Sequence, residues 1–433
     1  MEIDTGRLRS DLEESASIGA IEADEGRGRT VLTGSEANRD ARDRLIERLE
    51  GAGLDVSVDA VGNLTGTWTP PSANPGEAPV AAGSHLDSVP EGGIFDGQLG
   101  VYAALEAIRS LQESGFEPAR PLTVVSFTEE EGATFAGGLL GSSVATGQRS
   151  VENALALTDG GALDRDGRET QNGERDGGRT LERALEDIGY RGEGRLDASE
   201  WDAFLELHVE QDTVLESHDV SVGVVTAITG ISHSSVQIRG KANHAGATAM
   251  TDRTDALAAA SEFVLALEAA GNHAAEAGDN TAVATVGNCT VSPNATNVIP
   301  GTVDLGVDIR DVDGDVMREL LTEAETVLEA LEGKRGVATT MERHLEVDPA
   351  AMSERCQQAL ESEATALGVD SLSLHSGAAH DAMNVARVTD TGMLFAPSRG
   401  GYSHSPLEWT DWEDCATATR VLAAAMARLS SER

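Results

Sequence analysis

The sequence predicts an α/β fold in which helices cover a mixed β-sheet, together with a smaller, inserted α+β domain. First, stretches of helical and of strand periodicity alternate along most of the chain, as expected for a helix-covered sheet. Second, two short apolar runs, PVAAGSHLD and LTVVSFT, have the composition of buried strands. Third, 433 residues exceed the usual size of one domain, which favours two domains, or one domain with a large insertion.

The main domain begins with a helix and a pair of strands. Residues 36–50 carry apolar side chains at helical spacing and stop at Gly51, and the alternating stretch LDVSVDAVGNLTGTW follows. The run PVAAGSHLD then leads through a glycine-rich loop into a helix that contains Val101 and Leu111, after which LTVVSFT forms the next strand. We assign residues 1–219 to the first part of this domain.

A change of pattern near residue 220 indicates the inserted domain. A strand, VSVGVVTAITGI, a long helix, TDALAAASEFVLALEAAG, two strands and another helix fill residues 220–345. The main domain resumes over residues 346–433, where Thr410 and Glu413 form a capping-box pattern before the last helix. The polar, glycine-rich segment GGALDRDGRETQNGERDGGR, within residues 145–200, is predicted to be a surface loop.

The chain is strongly acidic, with 74 Asp and Glu against 32 Lys and Arg and a net charge of −42. This charge argues against nucleic acid as a partner. Salt screens the resulting self-repulsion, because the Debye length falls to roughly 3 Å near 1 M. We therefore expect a halophilic-type surface and the cytoplasm of a high-salt organism.

Cysteine usage and hydropathy give further expectations. The three cysteines, Cys289, Cys356 and Cys415, are too scattered for a disulfide framework or a thiolate metal site. The first residues lack the basic and apolar segments of a signal peptide, and no run approaches the roughly 18 apolar residues of a membrane span. A soluble, intracellular protein is expected.

Two polar clusters follow the predicted buried strands, where open α/β sheets bind ligands. GSHLDSVPEGGIFDG, residues 83–97, contains His85, Asp87 and Asp96. An imidazole and a carboxylate can bind a divalent cation, while a second carboxylate holds the other ring nitrogen. FTEEEGATF, residues 127–135, contains three glutamates, of which one can bind a metal while its neighbour takes a proton. By itself, the His-x-Asp pattern is at least as typical of a structural or surface pair, and a run of three glutamates is more typical of a solvated helix start.

Two histidines complete the set of metal-binding side chains. His208 lies in FLELHVEQ, residues 204–211, and His404 in GYSHSPLEW, residues 401–409. Each histidine alone is more typical of a structural polar residue than of a metal ligand. All four stretches fall at predicted strand ends or loops, and together they provide enough donors for two metal ions bridged by one carboxylate.

Six motifs in order resemble the hydantoinase/carbamoylase family of dinuclear-metal amidohydrolases: GSHLDSVPEGGIFDG, FTEEEG, LELHVEQ, NHAGATAM, NVIPG and GYSHSPLEW. The resemblance runs from about residue 30 to the end of the chain. It implies hydrolysis of a carbon–nitrogen bond in a linear amide or ureido group. N-carbamoyl-L-amino acids are the expected substrates, giving the amino acid, carbon dioxide and ammonia. Two divalent cations per subunit are implied, zinc first, with manganese or cobalt as alternatives.

The resemblance implies a role for each motif residue at the metal site. Asp96 would bridge the two cations, with His85 and His208 completing one site and Glu131 and His404 the other.

The remaining residues of these motifs would support the reaction. Glu130 would be the general base, because the family pattern is Glu-Glu-Gly before Gly132. Asp87 would orient His85, and Glu129 would either support the site from behind or be solvated.

The resemblance also implies that the inserted domain is a lid and dimerisation domain of a homodimer. His244 in NHAG would stabilise the oxyanion, while Asn297 and Arg310 would hold the substrate carboxylate. A guanidinium suits that task because its planar fork binds a carboxylate through two hydrogen bonds. Gln211 matches a substrate-side position, and the role of His380 in SGAAHD stays open.

Several other functions stay open at this stage. Allantoate amidohydrolase and β-ureidopropionase share the motifs, and a metallo-aminopeptidase or dipeptidase would share the metal core. Ser403 and His404 suggest a serine hydrolase, although GYSHS lacks the last glycine of the nucleophile-elbow pattern. A non-catalytic relative that binds ligands would lack a ligand or the base, and none is missing.

Overall fold

The computed structural model describes residues 2–135, 137–159, 178–278 and 280–431. These residues form two compact units. Unit 1 contains Met1–Thr226, Met352–Leu374 and His380–Arg433, and unit 2 contains Ala227–Ala351 and His375–Ala379. Most of the polar segment predicted to be a surface loop, residues 160–177, lies outside the described residues.

The strands are numbered β1 to β17 in chain order. They are β1 (Ala20–Ile21), β2 (Gly28–Arg29), β3 (Asp55–Val58), β4 (Leu64–Trp68), β5 (Val80–His85), β6 (Leu122–Phe127), β7 (Ala203–Val209), β8 (Val222–Ile228), β9 (Gly230–Arg239), β10 (Asn243–His244), β11 (Val283–Ser292), β12 (Val298–Ile299), β13 (Thr302–Asp311), β14 (Ala338–Val347), β15 (Ala350–Ala351), β16 (Ser371–Ser376) and β17 (Asp390–Ala396).

The α-helices are numbered in the same way. They are α1 (Thr5–Ala16), α2 (Glu36–Gly51), α3 (Gln98–Glu113), α4 (Leu140–Ala145), α5 (Val151–Leu155), α6 (Leu181–Ile188), α7 (Val214–His218), α8 (Ala256–Ala277), α9 (Gly314–Arg335), α10 (Glu354–Ala366), α11 (Asp381–Val385) and α12 (Trp412–Ser431). Helices α5 and α6 lie before and after the segment that was predicted to be a loop.

A mixed sheet forms the centre of unit 1, which confirms the predicted fold class. Strands β17, β7, β5 and β6 are neighbours in that order and run parallel. Strand β4 pairs antiparallel with β6, and β8 pairs antiparallel with β17. Strands β5, β6 and β7 are buried along their whole length, which explains their continuous apolar sequences.

Helices cover this sheet and supply most of its hydrophobic core. Helix α3 is apolar on nearly every side because it packs between the sheet, α1 and α12. Helix α2 begins at the N-cap Ser35, whose side chain accepts a hydrogen bond from the N–H of Asn38, and it buries Leu45 and Leu49. Rigid strands backed by packed helices hold the loops at the strand ends in fixed positions.

Unit 2 is a four-stranded antiparallel sheet with two long helices. Its strand order is β11-β13-β9-β14. Helices α8 and α9 pack against each other and on this sheet, and Phe263, Ile309 and Leu328 belong to their common core. The unit spans residues 227–351 and a short return at 375–379. The range predicted from the sequence was 220–345. The first boundary of the unit falls inside β8, where strand periodicity is continuous.

Within the described part of the chain, none of the helices has both the length and the apolar character that a membrane span requires.

Candidate metal centre

The candidate ligands in unit 1 lie at the carboxyl ends of neighbouring parallel strands. His85 is the last residue of β5 and pairs in register with Phe127, the last residue of β6. His208 lies near the end of β7 and pairs with Phe395 of β17. The loops after β6 and β17 carry the glutamate run and the His404 segment. Parallel strands therefore bring distant segments to one edge of the sheet.

Asp96 lies at the centre of the cluster. Its Oδ1 atom is 3.1 Å from Nε2 of His208 and 3.6 Å from Nε2 of His85. Its Oδ2 atom is 3.4 Å from Nε2 of His404, which lies 3.1 Å from Oε2 of Glu131. Asp96 thus belongs to two groups of donors that could each hold a metal ion, one with His85 and His208 and one with Glu131 and His404.

The hydrogen bonds of the buried histidines fit this role. Nδ1 of His85 faces the backbone carbonyl of Asp87 at 3.0 Å, and Nδ1 of His208 faces that of Val209 at 3.1 Å. If each Nδ1 carries the proton, each Nε2 presents a lone pair. Among the described residues, Nε2 of His85 is buried without a hydrogen-bond partner. Imidazoles and carboxylates in this arrangement suit a divalent ion such as zinc or manganese.

Charges across the cluster shift the pKa values in opposite directions. Burial lowers the pKa of His208, but the hydrogen bond and charge of Asp96 outweigh this effect and raise the pKa to about 9. Burial also opposes protonation of His404, and Glu131 raises its pKa to about 9. Asp96 is fully enclosed, yet His208 and the other histidines hold its pKa well below the usual range. The carboxylates are thus arranged to favour positive charge at the centre.

Glu130 lies beside His85 and close to several other carboxylates. Its side chain is 10% exposed, and its Oε2 atom lies 3.6 Å from Nε2 of His85. Burial, followed by the charges of Glu131, Asp381 and Asp96, raises the pKa of Glu130 well above the usual range. A carboxyl group in such a place is suited to exchanging a proton with a reactant.

Two neighbouring carboxylates accept hydrogen bonds from the backbone of the glutamate loop. The carboxylate of Asp87 was expected to orient His85, but its Oδ1 atom is 3.9 Å from Nδ1, and the backbone carbonyl makes the contact instead. Asp87 Oδ2 accepts a hydrogen bond from the N–H of Glu131 at 3.2 Å. Glu129 is buried, not solvated: Oε1 accepts hydrogen bonds from the N–H groups of Thr134 and Phe135, both at 2.6 Å. Both carboxylates shape the glutamate loop.

Ser403 and Gln211 form a chain of hydrogen bonds to the central carboxylate. The Ser403 hydroxyl donates to Asp96 Oδ2 at 2.8 Å and accepts from Nε2 of Gln211 at 3.0 Å. His404 directs Nε2 toward Glu131 and Asp96. A serine nucleophile needs its hydroxyl bonded to a histidine base. The geometry therefore disfavours the serine hydrolase that the sequence left open.

The predicted residues of unit 2 have local contacts of their own. His244 is exposed, and its Nδ1 atom accepts a hydrogen bond from the N–H of Gly246 at 3.0 Å. Asn297 is exposed, and its backbone carbonyl accepts from the N–H of Ala245. The guanidinium of Arg310 lies 3.1 Å from Asp308 and donates to the carbonyl of Gly377 at 2.8 Å. The fork of Arg310 is thus engaged within its own unit.

His380 lies deep in unit 1, with its ring centroid 4.5 Å from that of His208. Burial, followed by the charge of His208, lowers the pKa of His380 well below its usual value.

Two buried glutamates near the cluster were not found from the sequence. Glu206, two residues before His208, accepts hydrogen bonds from the Ser84 hydroxyl at 2.6 Å and from the N–H of Ala382 at 2.8 Å. Glu408 accepts hydrogen bonds from two N–H groups of the Asp96 loop. Alternation along β7 could have placed Glu206 on the same face as His208. Glu408 lies in a loop, where residue spacing gives no such signal.

Comparisons with known proteins identify the family. Residues 81–428 match the model of peptidase family M20/M25/M40, and the chain belongs to this family. An N-carbamoyl-L-amino-acid amidohydrolase from Paenarthrobacter aurescens is 35% identical, over 98% of this chain and 97% of that protein. An allantoate amidohydrolase from Bacillus subtilis is 33% identical, over 91% of both chains.

A solved structure gives the same result. An amidase of the hydantoinase/carbamoylase family from Burkholderia multivorans has a TM-score of 0.89 and 33% identity, over 100% of this chain and 99% of that one. The resemblance to the hydantoinase/carbamoylase family of amidohydrolases, predicted from six motifs, is thereby confirmed.

Proposed function

We propose that this protein is an N-carbamoyl-L-amino-acid amidohydrolase that requires two divalent cations. The observation that carries the proposal is Asp96, which lies between two donor groups in a chain related to enzymes of that activity. His85 and His208 would hold one cation, and Glu131 and His404 the other. When bound, the cations would polarise the ureido carbonyl and make a water molecule more acidic.

The chain itself would move the proton. Glu130, largely buried and 3.6 Å from His85, would take a proton from the water that attacks the carbamoyl carbon. The bond from that carbon to the nitrogen of the amino acid then breaks, and Glu130 returns the proton to this nitrogen. The carbamate that is released gives carbon dioxide and ammonia. One group thus acts first as base and then as acid.

Other residues would bind the substrate. His244 would stabilise the negative charge that develops on the carbonyl oxygen, and Asn297 and Gln211 would donate hydrogen bonds to the substrate. Arg310 would bind the substrate carboxylate. Because Asp308 and Gly377 already occupy its fork, this role requires Arg310 to exchange at least one of these contacts for the substrate.

The identity of the metal, the oligomeric state and the cellular environment are also part of the proposal. Zinc is the expected metal, with manganese and cobalt as alternatives, because all three bind imidazole and carboxylate donors. The resemblance supports a homodimer. The net charge of −42 supports a cytoplasm rich in salt.

The proposal is tested by assaying the purified protein in molar salt with zinc, manganese or cobalt. We expect release of the amino acid and ammonia from N-carbamoyl-L-amino acids, loss of activity with a chelator, and recovery when the cation is restored. The D-enantiomer and a dipeptide with a free amino terminus serve as controls. A higher kcat/KM for allantoate would identify allantoate as the substrate, and a higher kcat/KM for the dipeptide would identify the protein as a peptidase. Activity that persists without any divalent cation would contradict the proposal.

A further inference from the structure

Glu408 connects two segments of unit 1 that are far apart in sequence and carry candidate metal ligands. It lies four residues after His404 and is 1% exposed. Its Oε1 atom accepts hydrogen bonds from the N–H groups of Phe95 at 2.7 Å and of Asp96 at 3.0 Å. These contacts join residues that are 313 and 312 positions apart in the chain. Glu408 therefore acts on the cluster through the backbone of Asp96.

The fit between the two segments is close. A Cβ atom added to Gly93 would lie 2.2 Å from the carboxyl carbon of Glu408, so only glycine leaves room for the carboxylate there. The ring of Phe95 contacts Trp409 and Trp412, with centroid distances of 5.6 and 5.2 Å. Glycine on one side and aromatic packing on the other hold the carboxylate against the Asp96 loop.

The contact fixes the residue on which the whole cluster depends. Directly after Asp96 the chain turns at Gly97, with φ of +69°, and enters helix α3. The backbone of Asp96 has little freedom between this turn and Glu408. Its two carboxylate oxygens must nevertheless face His208 on one side and His404 on the other, within 3.1 and 3.4 Å. A small shift of this backbone would move both oxygens away from one of the donor groups.

We propose that Glu408 is a positioning residue that holds Asp96 in register with His404 and so sets the affinity of the centre for divalent cations. This inference rests on the proposed metal dependence. Glu408 itself ligates no cation and touches no substrate. Partners that orient metal ligands typically contribute 10- to 100-fold in metal affinity.

The experiment measures zinc affinity by competition with a chromophoric chelator and metal content by mass spectrometry, in the full-length protein. Glu408→Ala removes the acceptor of both N–H groups, and we expect its zinc affinity to fall by about 10- to 100-fold. Glu408→Gln keeps a carbonyl oxygen that can accept both hydrogen bonds, so its zinc affinity should stay closer to that of the native protein. At limiting zinc, Glu408→Ala should be much less active than the native protein. At saturating zinc, its activity should approach that of the native protein.

Asp59 provides a matched control. It is also buried in unit 1, and its carboxylate accepts hydrogen bonds from the N–H groups of Val61, Asn63 and Leu196, none of which is a candidate metal ligand. Asp59→Ala should lower the melting temperature and leave zinc affinity unchanged.

Each outcome decides the proposal. Native zinc affinity in folded Glu408→Ala, or an equal loss in Asp59→Ala, would show a structural role only and overturn the inference. If Glu408→Ala does not fold, Glu408→Asp replaces it, because the shorter side chain keeps the carboxyl group but cannot reach both N–H groups. Native zinc affinity in that variant would also overturn the inference. A native protein that binds zinc but leaves N-carbamoyl amino acids intact would contradict the proposed function and not this one.

Discussion

Replacing Gly97 with alanine tests the packing of the metal centre through two separate effects. Gly97 has φ of +69°, a conformation that costs a residue with a Cβ atom about 1–2 kcal/mol. The added Cβ would also lie 2.3 Å from Cε1 of His85. The ring cannot move away cheaply, because it is buried and its Nδ1 atom contacts the carbonyl of Asp87 at 3.0 Å. Such overpacking typically costs a further 1–3 kcal/mol.

Gly115→Ala separates the two effects. Gly115 has nearly the same φ, +72°, but no atom lies within 4 Å of the position that its Cβ would occupy. Both variants pay the backbone cost, and only Gly97→Ala displaces His85. We expect losses in the free energy of unfolding of about 2–5 kcal/mol for Gly97→Ala and about 1–2 kcal/mol for Gly115→Ala.

Chemical denaturation and zinc titration of both variants measure these effects. Zinc affinity should fall in Gly97→Ala and stay native in Gly115→Ala. Equal losses of stability, together with native zinc affinity in both variants, would refute the described packing of Gly97 against His85.

Three further predictions concern substrate, pH and salt. Arg310→Ala should lower kcat/KM for an N-carbamoyl amino acid by about 10- to 150-fold, the equivalent of roughly 1.5–3 kcal/mol. The kcat/KM for an N-carbamoyl amine, which lacks the carboxylate, should hardly change. Equal losses with both substrates would show that Arg310 supports the structure through Asp308 and does not bind the substrate. The Glu262 pKa is lowered to about 2 by Arg335 and Lys334, so its stabilisation is present above the unfolded value of 4.5 and is lost as pH falls toward 2. The difference in melting temperature between native protein and Glu262→Gln should shrink over that range, and a constant difference would contradict the ion pairs. Raising NaCl from 0.1 to 1 M should raise the melting temperature, because the Debye length falls from about 10 to 3 Å; a decrease would contradict dominant self-repulsion.

The strands and helices of the main sheet could be predicted because local patterns determine them. Apolar runs marked the strands that end at His85 and Phe127, and helical spacing marked α2 and α3. Parallel strand ends then bring the ligand motifs together, whatever their separation in sequence. The metal-site residues came from motif resemblance as much as from chemistry, since a lone histidine or glutamate carries little information.

The failures have specific physical causes. Thr410 and Glu413 suggested a capping box, but the helix begins at Trp412, and the Thr410 hydroxyl has no hydrogen-bond partner among the described residues. The Asp87 carboxylate lost its predicted contact because the backbone carbonyl of the same residue lies closer to His85. Glu408 depends on a contact across more than 300 residues, which no local pattern reports.

The central claim, that Glu130 moves the proton while its neighbours hold the cations, is tested most directly by Glu130→Gln. The amide keeps the size of the side chain but cannot accept the proton from water. We expect the variant to bind as many metal ions as the native protein, measured by mass spectrometry, and its kcat to fall by on the order of 10²-fold or more. Turnover near that of the native protein, with the metal content unchanged, would contradict the role of Glu130 as the base. Loss of one metal ion would indicate that Glu130 is the metal ligand and Glu131 the base.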